Sequence, residues 1–139
     1  MINSVLVPMD DSEMAERALE YAFEAHPDAA ITVLNVVGEP SGMMGQAVSL
    51  ALEDDVEKAA DEHAERVIDR AREIADEQDH EISTEVAWGR PSKAILDRAE
   101  AYDTVVIGSH GGSIADWLLV GNVADTIVRR SPVPVTVVR

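Results

Sequence analysis

The sequence predicts a single doubly wound α/β domain, in which helices cover both faces of a five-stranded parallel sheet. Short β-branched runs alternate with helical patterns along the chain, and this alternation requires crossover connections between parallel strands. The central runs are apolar throughout and the outer runs are mixed, as a sheet buried on both faces demands. The 139 residues suit one domain with one core, and no internal repeat or interdomain linker is visible.

The first half of the chain predicts two strands and two helices. The first strand covers Ile2 to Pro8, and Ser12 then offers an N-cap to a helix with an apolar stripe. The second strand covers Ala30 to Val37. After a glycine-containing loop, a long helix is predicted from about Leu50 to Asp79, with its apolar residues on one face.

The second half predicts three strands and two helices. The third strand runs from Ile82 to Trp88, and Pro91 opens a short helix after it. The fourth strand, Thr104 to Gly108, is almost wholly apolar. A second glycine-containing loop leads to a helix from Asn122 to Arg130, and the last strand is Val135 to Val138.

The charge of the chain restricts its partners. Asp and Glu total 27 against 11 basic residues, which gives a formal net charge of −16. Such a field repels DNA, RNA and anionic lipid, so we expect neither a nucleic-acid nor a membrane partner. Only Lys58 and Lys93 are lysines, and acid enrichment with so few lysines predicts a halophilic host. The alternative is an ordinary acidic protein with solvated helix faces.

The sequence lacks cysteine, a membrane-spanning apolar run and a recognisable signal peptide, and each absence argues against a class of site or a compartment. There are no cysteines, which excludes disulfides, thiolate nucleophiles and cysteine-ligated zinc. No apolar run approaches the roughly 18 residues of a membrane span. The N-terminus shows neither a basic region nor a cleavage site, so we expect a cytoplasmic protein.

The richest candidate for chemistry is the segment that follows the fourth strand. Gly108, Gly111 and Gly112 allow tight turns and close approach of a ligand. Gly121 and Asn122 then begin a helix, whose free N–H groups and dipole attract anions. The segment therefore predicts a phosphate cradle, with a plain turn and helix cap as the alternative. Neither the P-loop nor the dinucleotide fingerprint is present.

These residues resemble a known family. The stretch from Val105 to Arg139 looks like the C-terminal signature of universal stress proteins, whose ATP-binding members carry Gly-x2-Gly-x9-Gly-(Ser/Thr). The match here is Gly108, Gly111 and Gly121, with Asn122 in place of the hydroxyl. The family's opening strand and turn and its other strand segments are also matched, at Val5 to Ser12, Val33 to Val36 and Ser131 to Val135.

The resemblance implies strand order 3-2-1-4-5 and an ATP site, with Mg²⁺ accompanying the nucleotide. Asp10 would hydrogen-bond the ribose, the Val36 backbone would read the adenine edge, and Ile107 would flank the base side of the loop. The glycines, Asn122 and Val123 would contact the phosphates. The implied nucleotide-binding set is Pro8, Asp10, Val36, Ile107, Gly108, Gly111, Gly121, Asn122 and Val123. The Asn122 amide can donate to a phosphate, or it can crowd the cradle.

The resemblance also implies a homodimer. By the implied order, the valine-rich end of the chain, Val133 to Val138, is an edge strand that nothing downstream covers. An antiparallel copy of the same strand would satisfy its free backbone groups. We therefore predict a dimer through this strand.

Regulation is the predicted role, rather than catalysis, because no general base can be named. Adjacent Asp10 and Asp11 could hold Mg²⁺ directly, but ribose contact or capping is the simpler interpretation. One alternative is a nucleotide-free dimerisation module of the same family. Another is a receiver-type phosphoacceptor domain, which needs an Asp at the end of the middle strand. Here that strand ends at Trp88 and Gly89.

Overall fold

A computed structural model describes residues 1–37, 53–109 and 123–139, and within them the side chains of all but 53–56. The strands are β1 (Ser4–Pro8), β2 (Ala30–Val37), β3 (Ile82–Trp88), β4 (Thr104–Gly108) and β5 (Val135–Val138). The helices are α1 (Glu13–Ala25), α2 (Glu53–Glu77), α3 (Pro91–Ala99) and α4 (residues 123–130). None of the helices in these ranges is long and apolar enough to cross a membrane.

The strands form one parallel sheet in the order β3-β2-β1-β4-β5, which confirms the predicted topology. Strand β1 lies at the centre, where Val5 pairs with Ile31 on one side and Thr104 on the other. The chain builds outward from β1 to β3 and then crosses back to add β4 and β5. The strand order therefore reverses between β1 and β4.

Helices cover both faces of the sheet, because side chains of alternating direction supply two separate cores. On one face, Val7, Val33 and Val106 are packed with buried residues of α1 and α2. On the other face, Leu6 and Leu34 are packed with buried residues of α3 and α4. Full burial of a side chain of this size contributes roughly 1.5–3 kcal/mol. These two cores fix the ends of β1, β2 and β4 relative to the helices that follow them.

The first helix begins as predicted. Ser12 has an extended backbone, and its Oγ accepts a hydrogen bond from the Ala15 N–H at 3.2 Å. This N-cap satisfies one of the otherwise unpaired N–H groups of the first turn, and such caps contribute about 1 kcal/mol. Ser12 therefore fixes where the chain turns from β1 into α1.

Two predicted boundaries differ from those in the structure. Strand β1 begins at Ser4 rather than Ile2, and the N–H groups of Asn3 and Ser4 at its start donate to the Asp103 carboxylate at 2.7 and 3.1 Å. These two bonds lower the pKa of Asp103. Helix α2 ends at Glu77, because Asp79 adopts a left-handed φ of 58° that closes the helix. The predicted helical residues before 53 lie outside the described part of the chain.

Candidate ligand site at the strand switch point

A cavity of about 200 Å³ opens at the carboxyl ends of β1, β2 and β4. It lies where the strand order reverses, which is where open α/β sheets bind their ligands. The N-terminal turns of α1 and α3 and the first described residues of α4 complete the described part of its wall. Three strand ends and the starts of two helices therefore meet at this cavity.

The wall of this cavity is mostly apolar. Of its described lining residues, only Asp10 and Ser12 carry polar side-chain atoms, and only Asp10 carries a formal charge. The full described lining is Pro8, Met9, Asp10, Ser12, Ala15, Leu34, Val36, Pro91, Ile95, Ile107, Gly108, Val123 and Ala124. An apolar slot with a few polar groups is typical of sites for small organic ligands. A flat heterocycle bearing a polar substituent suits this distribution.

The polar side of the cavity is organised by the turn between β1 and α1. Asp10 Oδ1 accepts two hydrogen bonds from Ser12, one from its backbone N–H at 2.9 Å and one from its Oγ. The other carboxylate oxygen, Oδ2, is not used by these bonds. A carboxylate oxygen is an acceptor only, so this group suits a ligand that presents hydroxyl donors.

Gly108 is required by packing, whatever else it does. A Cβ at this position would lie 2.9 Å from both Cγ and the carbonyl oxygen of Met14, and 3.0 Å from its carbonyl carbon. Two of these atoms belong to the α1 backbone, which cannot move aside as a flexible side chain can. Glycine at 108 therefore lets α1 approach β4 closely. From the sequence, Gly108 was predicted to belong to a phosphate cradle, and the structure shows that it is also needed for packing against Met14.

The structure brings together all of the implied nucleotide-binding residues that it describes. Those that line the cavity are Pro8, Asp10, Val36, Ile107, Gly108 and Val123. The remaining three, Gly111, Gly121 and Asn122, lie outside the described residues. The sequence treated Ser12 only as a helix cap and Pro91 only as a helix start, yet both line the cavity. Their position at helix starts beside strand ends is the signal that would have found them.

A second cleft, of about 210 Å³, lies between α1 and α2 and shares Asp10 with the first. Its charged residues are Asp10, Asp11, Glu16, Arg66 and Arg70, together with His63. Glu16 forms an ion pair with Arg70, and this hydrogen bond is the main reason why the pKa of Arg70 is raised. Acids and bases are mixed in this cleft, so its charge favours no ligand class. Among the described residues, no group of three or more His, Asp or Glu side chains could hold a metal ion.

Comparison with known proteins gives a consistent result over the whole chain. The model of the universal stress protein family matches residues 1–139. The universal stress protein YxiE of Bacillus subtilis is 28% identical over 148 residues, an alignment that covers 100% of both chains.

Solved structures of the same fold agree. The universal stress protein UspA from Lactobacillus plantarum has a TM-score of 0.80 and 26% identity, covering 99% of this chain and 98% of that one. A universal stress protein solved in complex with cAMP has a TM-score of 0.72 and 24% identity, covering 99% and 97%.

Proposed function

The chain belongs to the universal stress protein family, and from this premise we propose that it is a regulatory protein that binds adenine nucleotide, chiefly ATP, at the strand switch point. The observation that carries the proposal is the cavity itself, whose apolar wall is interrupted by one carboxylate, Asp10. Adenine is flat and largely apolar on its faces, and ribose presents two hydroxyl donors. The two halves of a nucleoside therefore match the two parts of the wall.

The base is assigned to the slot between β2 and β4. Val36 and Ile107 line this part of the wall, which gives the base apolar contact on its faces. The backbone of Val36, near the end of β2, would read the edge of the base. The ribose hydroxyls are assigned to the Asp10 carboxylate, which accepts hydrogen bonds but cannot donate them.

The phosphates are assigned to the glycine segment that follows β4 and to the start of α4. Val123 and Ala124 line the cavity from the first described turn of α4. The N–H groups of a helix start and its dipole favour an anion there. In a chain with a net charge of −16, Mg²⁺ would enter with the phosphates and offset part of their charge.

A regulatory role, rather than turnover, is proposed because the described wall offers no candidate base. Asp10 is its only titratable residue, and one oxygen of that carboxylate is already bonded to Ser12. General acid–base catalysis requires a group placed to exchange protons with the reacting atoms. The proposal is therefore binding that changes the protein's state.

The alternative is a nucleotide-free interaction module of the same family. Two observations favour it. Packing against Met14 already accounts for glycine at 108, and Asn122 replaces the small hydroxyl of the ATP-binding signature. In either case we propose a cytoplasmic homodimer joined through β5.

Calorimetry with ATP, AMP and cAMP, in molar KCl with Mg²⁺ present, tests nucleotide binding. We expect a micromolar Kd for ATP, equivalent to about −8 kcal/mol. Gly111→Val should abolish this binding, because a branched side chain would occupy the space assigned to phosphate. Val86→Thr, on an exposed position of β3, is the control and should bind normally. If millimolar ATP produces no heat of binding and no thermal shift, the proposal is refuted. If Gly111→Val binds ATP normally, the phosphate site lies elsewhere.

A further inference from the structure

Asn35 is a buried polar residue on an otherwise apolar face of β2. It is 3% exposed, and its neighbours on the same side of the strand, Val33 and Val37, are buried. Its Nδ2 donates a hydrogen bond to the carbonyl oxygen of Met9 at 2.9 Å, across 26 residues of sequence. Its Oδ1 is buried and has no hydrogen-bond partner among the described residues. An unsatisfied buried acceptor is costly, so packing alone would favour an aliphatic residue here.

The bond to Met9 lies where the strand ladder stops. Register between β1 and β2 ends at the pair Pro8 and Leu34. One residue later, the Met9 N–H still donates to the Leu34 carbonyl at 2.8 Å. The Met9 carbonyl, however, is satisfied by the side chain of Asn35. Both backbone polar groups of Met9 are therefore attached to β2, one by the strand and one by this amide.

The turn that follows depends on Met9 for its position. Asp10 comes next, and its Oδ1 accepts the Ser12 N–H at 2.9 Å. The Ser12 Oγ in turn accepts the Ala15 N–H and caps α1. Asp10 and Ser12 are the two polar side chains of the described cavity wall. Asn35 is thus linked to the polar side of the cavity by its hydrogen bond to the Met9 carbonyl and by the peptide bond from Met9 to Asp10.

We propose that Asn35 is a positioning residue, which holds the Met9–Ser12 turn so that the Asp10 carboxylate faces the cavity. Asn35 itself does not line that cavity, so it acts through Met9 rather than on the ligand. The Oδ1, which has no partner in the described part of the chain, is the cost of placing a donor at this point of the core. As a statement about nucleotide affinity, this inference rests on the proposed function. As a statement about the turn, it does not.

Two substitutions with opposite packing effects test the proposal. Asn35→Leu removes the donor and the unpaired acceptor but fills the space, whereas Asn35→Ala removes the donor and leaves a void. In both variants we expect the backbone N–H groups of Met9 and Ser12 to exchange hydrogen at least several-fold faster, relative to the slowest core amides. We also expect the Kd for ATP to rise about tenfold, the effect of losing one well-placed hydrogen bond. The melting temperature of Asn35→Leu should not fall.

Val33→Ala is the matched control, because Val33 lies on the same strand and face and is fully buried. It should lower the melting temperature while leaving the exchange of Ser12 and the Kd for ATP unchanged. If both Asn35 variants keep wild-type exchange at Met9 and Ser12, the inference is wrong and Asn35 is a core residue only. If the wild type binds no ATP, the proposed function fails, and the exchange rates still decide whether Asn35 holds the turn.

Discussion

Gly108 lies where β4 meets the first turn of α1, and the contact between them leaves no room for a side chain. Because glycine has no Cβ, the Met14 carbonyl group can lie closer to position 108 than the side chain of any other residue would allow. Its backbone is not in the left-handed region, so the glycine is required by space rather than by φ. Its effect on stability is therefore separable from any effect on a ligand.

Gly108→Ala should destabilise the protein even without nucleotide. Its new Cβ would lie 2.9 Å from a helix carbonyl oxygen, and overpacking of this kind costs about 1–3 kcal/mol. Urea unfolding of the ligand-free protein in molar KCl measures the loss. Ser109→Ala, at the next residue, is the control and should be close to neutral. Unchanged unfolding of Gly108→Ala would show that α1 can shift without cost.

Single residues also show where sequence reasoning succeeds and stops. Asp10 and Val36 were named through the family resemblance, and both line one cavity because parallel strands bring their carboxyl ends together. Asn35 was missed because its partner, the Met9 carbonyl, is distant in sequence and belongs to the backbone. A lone amide in an apolar strand run was the only visible signal.

Among the elements, strands were easier to predict than helix ends. Strands β2, β3, β4 and β5 match the predicted bounds, because each is a β-branched run closed by glycine, proline or charge. Asp103 contacts the start of β1 and the left-handed Asp79 follows the end of α2, and no periodicity reveals either. Strand order came from the family resemblance, since alternation alone demands only that the strands be parallel.

Strand β5 is the element on which the proposed dimer depends. It is at the edge of the sheet, and Val137 is 37% exposed. The carbonyls of Pro134 and Val138 accept bonds from β4. Because backbone groups alternate in direction along a strand, those of Val137 point away from β4. None of the described strands lies on that side of β5, and the proposed dimer would place a second copy there.

Val137→Pro should therefore convert the dimer to a monomer without breaking the sheet, because it removes a donor on the outer side only. Thr136→Pro is the matched control: it would remove a donor on the β4 side and should unfold the protein. Light scattering in molar salt, with circular dichroism to verify folding, distinguishes the two. A wild type that is monomeric at tens of micromolar refutes the dimer, and a dimer that survives Val137→Pro has its interface elsewhere.

For the molecule as a whole, charge is the dominant physical property. Acidic residues exceed basic ones by 27 to 11. The ion pairs of the described residues, such as Lys93–Asp97 and Arg129–Asp125, lie mainly on exposed helix surfaces. Exposed pairs of this kind contribute little to stability. Repulsion among the remaining acids is then limited chiefly by dissolved ions, which is the basis for proposing a halophilic host.

Stability should fall sharply when KCl is lowered from molar to roughly 0.1 M, because the Debye length grows from about 3 Å to about 10 Å. We expect the melting temperature to decrease continuously over this range. Sucrose at low salt is the control, since it favours compact states without screening charge. It should restore little of the lost stability. A melting temperature independent of KCl would rule out the halophilic proposal.

A lineage that gave up nucleotide binding would still be obliged to keep glycine at position 108, because any side chain there meets the backbone of α1. Gly111 and Gly121 would be free to drift in that lineage if admitting phosphate is their only role. Under that condition, the first glycine of the motif would be retained for packing and the other two only for binding. Glycine at the first position of the motif is therefore weak evidence of nucleotide binding, because packing against α1 alone requires it.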